Sequence, residues 1–191
     1  MNRAVIYPGD RLRRKRRAAV KPPPGPLTTP TNEPVTMTRT NVSRTVDAAP
    51  EAVFSTVSDI SNYSEAVPHL VRVEFLTEQK VGVGARFRET RVMRGREATT
   101  EIEVTEFVAN ERVRMVSDEG GTIWDTVFTV TPLGEGGGTR LDMVMEARPY
   151  RIMSRLMVPL IKGVVAKAIA ADMDAVKVYC EGGGDSGSRP A

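Results

Sequence analysis

The chain has 191 residues, 40% of them hydrophobic, with 27 basic side chains against 24 acidic ones. That length suits one domain with tails, and no run approaches the roughly 18 consecutive apolar residues of a membrane-spanning helix. A single cysteine, Cys180, and a single histidine, His69, exclude an internal disulfide framework, a Cys-cluster zinc site and a His-rich metal centre, so neither metal nor cofactor is expected.

The charge is unevenly spread. Residues 1–36 carry eight basic and two acidic side chains, and the remainder carries 19 and 22. The basic character therefore belongs to an N-terminal arm, and the body is mildly acidic. Within the arm, residues 11–17 form a like-charge block, and Pro22-Pro23-Pro24-Gly25-Pro26 continues neither a helix nor a central strand. The arm is expected to be disordered. Its block is the only place where a nucleic acid or an anionic membrane would be contacted, and such a contact is not the favoured reading. A transit peptide, a localisation signal, and upstream sequence ahead of a start at Met37 compete with it. No apolar stretch of the secretory type follows the block, and a cytoplasmic protein is expected.

From Asn41 the pattern changes. Residues 42–47 alternate and are rich in β-branched side chains, which predicts a strand. Ala48-Ala49-Pro50-Glu51 then opens a helix, with Pro50 in its first turn and Val53, Phe54 and Val57 on its apolar face. Ser58-Asp59 ends it, and a short second helix over 61–66 is stopped by Pro68. Six strands follow in close succession, near 70–78, 85–93, 96–108, 112–118, 122–131 and 139–148. Glycine-bearing turns separate most of them, which is the pattern of an antiparallel meander. A long helix over 150–181 closes the chain. Met153, Met157, Leu160, Val164, Ala168, Ala171, Ala175 and Val178 recur along it at threes and fours and are taken as its core face. Pro159 is expected to kink it, and Gly182-Gly183-Gly184 ends it ahead of a flexible tail over 182–191.

A sheet of this size needs its apolar face covered, and the last helix is the element long enough to cover it. A curved sheet wrapped on one helix leaves a space between them suited to a ligand. Three local features go with this order of elements. The first is Val46-Asp47-Ala48-Ala49-Pro50-Glu51-Ala52-Val53-Phe54, a strand running into a Pro-started helix. The second is Asp59-Ile60-Ser61-Asn62-Tyr63 with Pro68 downstream. The third is Val81-Gly82-Val83-Gly84-Ala85-Arg86-Phe87, with Gly138-Thr139-Arg140-Leu141 before the last strand. In these features and in its order of elements the chain resembles the START-like, or SRPBCC, superfamily of helix-grip proteins, which includes polyketide cyclases/dehydrases, lipid-transfer domains and the birch-pollen allergen type. The resemblance covers residues 41–181. It implies an α+β helix-grip fold: a curved antiparallel sheet of about seven strands around a long C-terminal helix, with two short helices after the first strand. Residues 37–181 would form one ligand-binding domain. The fold hosts many functions and fixes none.

Strand alternation nominates the inward side chains. They are Leu141, Met143 and Met145 on the last strand, and Trp124, Phe128 and Val130 on the sixth. The fifth contributes Val113 and Met115, the fourth Ala98, Ile102 and Val104, and the second Val71, Val73 and Phe75. On the third strand Phe87 shares its face with Glu89 and Arg91. If Phe87 points inward these charges do too, and they must pair, reach water at a mouth or meet a polar ligand group. The alternative is a solvated position at the sheet edge. The expected ligand-binding set is Phe87, Met115, Trp124, Phe128, Met143, Met145, Met153, Met157 and Leu160. The methionines would adapt to an irregular apolar ligand, or serve as ordinary core filler.

His69 falls in a connection after Pro68, and Cys180 lies at the end of the last helix with no histidine near it in sequence. The glycine-rich stretch 134–138 joins two strands and is no phosphate cradle. Glu89 and Arg91 are thus the candidate catalytic pair: a general base with a pKa raised by burial, and a holder of an enolate or carboxylate. Three functions follow. The chain binds a lipid, polyketide or quinone-like molecule for transport, sequestration or presentation; or it is a polyketide aromatase/cyclase or dehydratase working in the same cavity; or it is an interaction module acting through its surface and arm.

Overall fold

The computed structural model describes residues 37–93, 95–134 and 136–183. The arm over residues 1–36 and the tail from residue 184, expected to be disordered and flexible, lie outside the described residues.

The chain runs β1 (Thr38–Val46), α1 (Pro50–Ser58), α2 (Ile60–Ala66), β2 (Leu70–Phe75), β3 (Arg86–Met93), β4 (Arg96–Val108), β5 (Arg112–Glu119), β6 (Thr122–Pro132), β7 (Thr139–Pro149) and α3 (Ile152–Glu181). All seven strands form one sheet in the order β1-β7-β6-β5-β4-β3-β2, and every neighbouring pair is antiparallel. The last six strands are a meander, and β1 closes the β7 edge. With two short helices after β1 and one long helix at the end, this is the helix-grip fold.

Local chemistry sets the element boundaries. Pro50 stands at the start of α1, where its missing N–H costs nothing, and Glu51 suits the positive end of the helix dipole. Asp59 is extended (φ −110°, ψ 117°) and serves both short helices. Its backbone N–H donates to Ser55 O in the last turn of α1, and its carboxylate accepts from Ser61 N at 2.8 Å to cap α2. Gly138 opens β7 at φ +70°, and a Cβ there would stand 2.4 Å from Val46 O. Only glycine allows β7 to begin this close to the end of β1.

Alternation holds along most strands. Val113, Phe128, Val130, Leu141 and Met143 are buried on the inner face with Phe87 and Val104. Two expectations fail where the ladder is irregular or uncovered. The β2–β3 register shifts between Leu70 and Arg72, so Leu70 is buried while Val71 is exposed. Ala98, near the free end of β4, is also exposed. A second register shift in β4, between Val104 and Glu106, bends that strand and brings Phe107 onto the core, edge-on to Phe54 at 5.2 Å.

The largest correction concerns α3. Its buried residues are Ser154, Val158, Ile169, Asp172, Met173, Val176 and Cys180. The stripe nominated from sequence, including Met153, Met157, Leu160, Val164 and Val178, is exposed. The first half of the helix is apolar on both sides, so periodicity alone could not tell which side packs. The packed side is the more polar of the two. Pro159 lies inside α3 without ending it.

Both ends of α3 are fastened. Gly121 O, in the β5–β6 turn, accepts from Tyr150 N, Arg151 N and Ser154 Oγ at 2.9, 3.2 and 2.8 Å. At the other end Lys177 Nζ donates to Thr45 O, and Asp47 N donates to the Glu181 carboxylate. Arg44 on β1 pairs with Asp174 at 2.5 Å. Among the described residues no helix is long and apolar enough to cross a membrane.

On the outer face of the sheet, Asp125 is buried between Arg114 and Arg148. Arg114 meets it in a two-pronged pair at 2.8 and 2.5 Å, and Arg148 Nη2 donates to the same carboxylate. The hydrogen bond from Arg114 comes first among the causes that hold this carboxylate below its ordinary pKa, and it outweighs the opposing effect of burial. A depressed carboxylate stabilises the fold above its unfolded pKa of about 4, and the contribution fades as pH falls through the folded value. Asp125→Asn is therefore expected to cost about 1–3 kcal/mol at pH 7. In urea titrations the gap to the parent should narrow below pH 4; a gap that stays constant down to pH 2 contradicts the assignment.

Candidate functional site

The sheet register arranges the inner wall in rows. Val104, Met115, Thr126, Met145 and Thr40 stand opposite one another across β4, β5, β6, β7 and β1. The row beside it runs Val113, Phe128, Met143 and Val42. Over these rows lie Val57 of α1 and Ile60 and Tyr63 of α2. Between wall and roof is a space of about 530 Å³, counted with its open mouth. Phe87, Ile102, Met115, Trp124, Phe128, Met143 and Met145 make it mostly apolar.

Six of the nine side chains expected to contact a ligand line this space: Phe87, Met115, Trp124, Phe128, Met143 and Met145. Met153, Met157 and Leu160 do not. They are 70%, 49% and 76% exposed on the outer side of α3. The cavity is roofed by α1 and α2, and no α3 side chain lines it. The expected space between sheet and last helix is displaced for a plain reason: α3 lies chiefly along β1, and α1 and α2 fill the ground between it and the strands β3–β6.

Glu89 and Arg91 also line the cavity, at its polar end. Phe87 is buried and the alternation carries both charges inward with it, so the edge position is not the one adopted. They pair: Arg91 Nε donates to Glu89 Oε1 at 2.7 Å. Sequence reasoning missed the third member, Asp172 of α3, whose Oδ2 accepts from Arg91 Nη1 at 2.5 Å. It missed the fourth as well. The Tyr63 hydroxyl donates to the same Asp172 oxygen at 3.4 Å, and the Arg91 guanidinium lies 5.9 Å from the Tyr63 ring centre. A signal for each was present. Asp172 sits in the helical run Ile169–Met173–Val176–Cys180, the buried side of α3, and Tyr63 ends the helix-joint motif.

Burial opposes the charge on Arg91, but Glu89, Tyr63 and Asp172 outweigh it and hold the guanidinium pKa above its ordinary value. Burial, reinforced by Asp172, pushes the Tyr63 hydroxyl pKa up as well. Tyr63 is thus a neutral hydrogen-bond donor throughout the physiological range, and Arg91 is always cationic. The cluster holds two carboxylates against one guanidinium.

The other candidates fall outside the site. His69 is exposed in the connection before β2. Cys180 is buried against α1, its Sγ 3.4 Å from Thr56 Oγ1, and burial pushes its thiol pKa up. A thiol in that setting is a packing group rather than a nucleophile. Among the described residues no group of three or more His, Cys, Asp or Glu side chains is placed to hold a metal ion.

Removing Arg91 alone would leave Glu89 and Asp172 buried without a countercharge. Arg91→Ala is expected to cost about 3–5 kcal/mol in urea unfolding at pH 7, and the combined Glu89→Gln, Arg91→Met, Asp172→Asn variant to recover most of it. A loss below 1 kcal/mol for Arg91→Ala would show that water, not the ion pair, satisfies the carboxylates.

Solved structures share this fold at low sequence identity. The Thermus thermophilus protein TTHA0849 superposes with a TM-score of 0.60 at 20% identity, over 73% of this chain and 94% of that one. The Chromobacterium violaceum protein CV1439 does so with a TM-score of 0.60 at 20% identity, over 75% and 98%. The di-domain ARO/CYC StfQ from the steffimycin biosynthetic pathway gives a TM-score of 0.63 at 14% identity, over 76% of this chain and 51% of the di-domain chain. No curated protein matches the chain. Residues 37–181 match a family model, and on that match the chain belongs to the polyketide cyclase/dehydrase and lipid transport family.

Proposed function

We propose that the chain binds a hydrophobic small molecule in the cavity beneath α1 and α2, and carries, sequesters or presents it. A lipid, polyketide or quinone-like molecule fits this reading. The observation that supports it best is the division of the cavity wall. One side is a largely apolar surface of Phe87, Met115, Trp124, Phe128, Met143 and Met145, interrupted by Ser117 and Thr126, and the other carries the charged cluster of Glu89 and Arg91 with Tyr63. An apolar body would be held by area and by adaptable thioethers, and one polar end would be oriented by the cluster. The family match and the shared fold are consistent with this reading.

A second reading is favoured by the pairing of Glu89 and Arg91 inside the cavity. A cyclase or dehydratase acting on a poly-β-carbonyl chain needs a base to remove an activated proton and a cation to steady the enolate. Glu89 and Arg91 would take those roles. Arg91 already commits Nε and Nη1 to carboxylates, which suits an orienting group better than a group that must bind and release a substrate anion. The binding reading therefore stands first.

Native mass spectrometry of the purified chain, followed by organic extraction, tests the first reading. A co-purifying apolar molecule, or uptake from a panel of lipids and quinones, is expected. Thr126→Trp, which fills the middle of the row between Met115 and Met145, should weaken uptake by about tenfold or more while leaving the fold intact. A clean apo mass with no uptake from the panel contradicts the proposal. Turnover of a poly-β-carbonyl substrate that vanishes in Glu89→Gln, with ligand binding unchanged, would move the second reading to first place.

A further inference from the structure

The feature that the cavity leaves unexplained is the outer side of α3. Ile152, Met153, Leu156, Met157 and Leu160 lie there, with Ile152 and Leu156 exposed to 78% and 64%. Their three- and four-residue spacing gathers them on one side of the helix, away from the packed Ser154 and Val158. This is not a frayed end, because the triple acceptance by Gly121 O fixes the first turn of α3 to the β5–β6 turn. So large a set of apolar side chains at one place on a protein surface calls for an occupant.

Charge identifies the occupant. From residue 151 to residue 171 every charged side chain is basic: Arg151, Arg155, Lys162 and Lys167. The rest of residues 37–191 carries 15 basic and 22 acidic side chains. Residues 151–171 thus carry a net positive charge within a body that is otherwise net negative. The basic block at residues 11–17 has the same sign as this helix, so charge does not favour it as the occupant. A second copy docked stripe to stripe would bring the same basic side chains together.

We propose that the first half of α3 docks in the plane of an anionic lipid membrane, with Ile152, Met153, Leu156, Met157 and Leu160 entering the headgroup and acyl boundary and the lysines meeting lipid phosphates. An interfacial helix needs this pairing of an apolar side with basic flanks, and two weak signals together give stable attachment. The location fits the cavity. A narrower recess between β1, β7 and α3 is lined by Val158, Lys162 and Val165, and it shares Trp124 and Met145 with the main cavity. Docking would set the bilayer beside the helix that covers this approach. The docking inference goes beyond the ligand reading and stands without it, since attachment requires nothing in the cavity.

Flotation of the full chain with vesicles tests it in the absence of any cavity ligand. The probes are phosphatidylcholine vesicles with and without about one third phosphatidylglycerol. Binding to the anionic vesicles is expected, roughly tenfold or more above the neutral ones, and reduced at high salt. Leu156→Glu with Leu160→Glu should abolish it without lowering the melting temperature, since both side chains are exposed. Lys162→Glu with Lys167→Glu should weaken it by roughly tenfold. Four results would overturn the proposal: no binding by the parent chain; equal binding to both vesicles; binding that survives Leu156→Glu with Leu160→Glu, which places it in the arm; or a dimer formed without vesicles and lost in that variant, which makes the stripe a self-association surface.

Discussion

Arg91 joins two parts of the molecule that the strand order keeps far apart. α3 is tied to β1 at one edge of the sheet through Arg44, Thr45 and Asp47. Arg91 belongs to β3, the sixth strand from that edge. For its guanidinium to meet Asp172 of α3 at 2.5 Å, the sheet must curl until its far side comes round to the helix. A flat sheet would leave Asp172 without its cation and Arg91 in solvent. The right-handed twist of strands and the register shifts in β2 and β4 allow the curl. The ion cluster marks where it closes.

That constraint creates the cavity. A sheet curled onto a helix along one side encloses more volume than the helix can fill, and here α1 and α2 take the middle ground. Asp59 joins them with no intervening loop, so Val57, Ile60 and Tyr63 come down as one roof over the inner rows of the sheet. Tyr63 belongs to both parts of this construction. Its ring packs edge-on to Phe128 at 6.1 Å, and its hydroxyl reaches Asp172. The polar end of the cavity and the closure of the fold are therefore one cluster of side chains, and substitutions there will move stability.

The strands were legible in the sequence because half-buried antiparallel strands alternate and glycine marks their turns. β3 to β7, the two short helices and the long helix stand close to their expected bounds, while β1 begins at Thr38, four residues before the expected start, and β2 ends at Phe75, three residues short of the expected end. Misreadings arose where one signal admitted two answers. The first half of α3 offers Met153, Met157 and Leu160 on one side and Val158, Ile161 and Val165 on another, and periodicity does not choose between them. Tertiary packing chose the side that continues into Asp172 and Cys180, because Asp172 alone supplies the second carboxylate for Arg91. Asp172 was legible only from its place in the run Ile169–Met173–Val176–Cys180, since a carboxylate on a helix reads as solvent-facing until its partner is known. The inward placement of Glu89 and Arg91 was the opposite case: burial of Phe87 decided it, through the two-residue period of the strand.

The composition of the cluster also constrains what the cavity would hold on the proposed reading. Glu89 and Asp172 together carry one more charge than Arg91 cancels, and Arg91 gives its Nε and Nη1 protons to them. A ligand carboxylate entering here would add a third negative charge to a partly dry site, where such repulsion is strong. A hydroxyl or phenol would instead donate to the existing carboxylates at no electrostatic cost, whereas the single Tyr63 proton is already given to Asp172. On that reading an uncharged, hydroxyl-bearing ring or chain would be held more readily than a fatty acid, because the two carboxylates that face it are the ones that hold the curled sheet on its helix through Arg91.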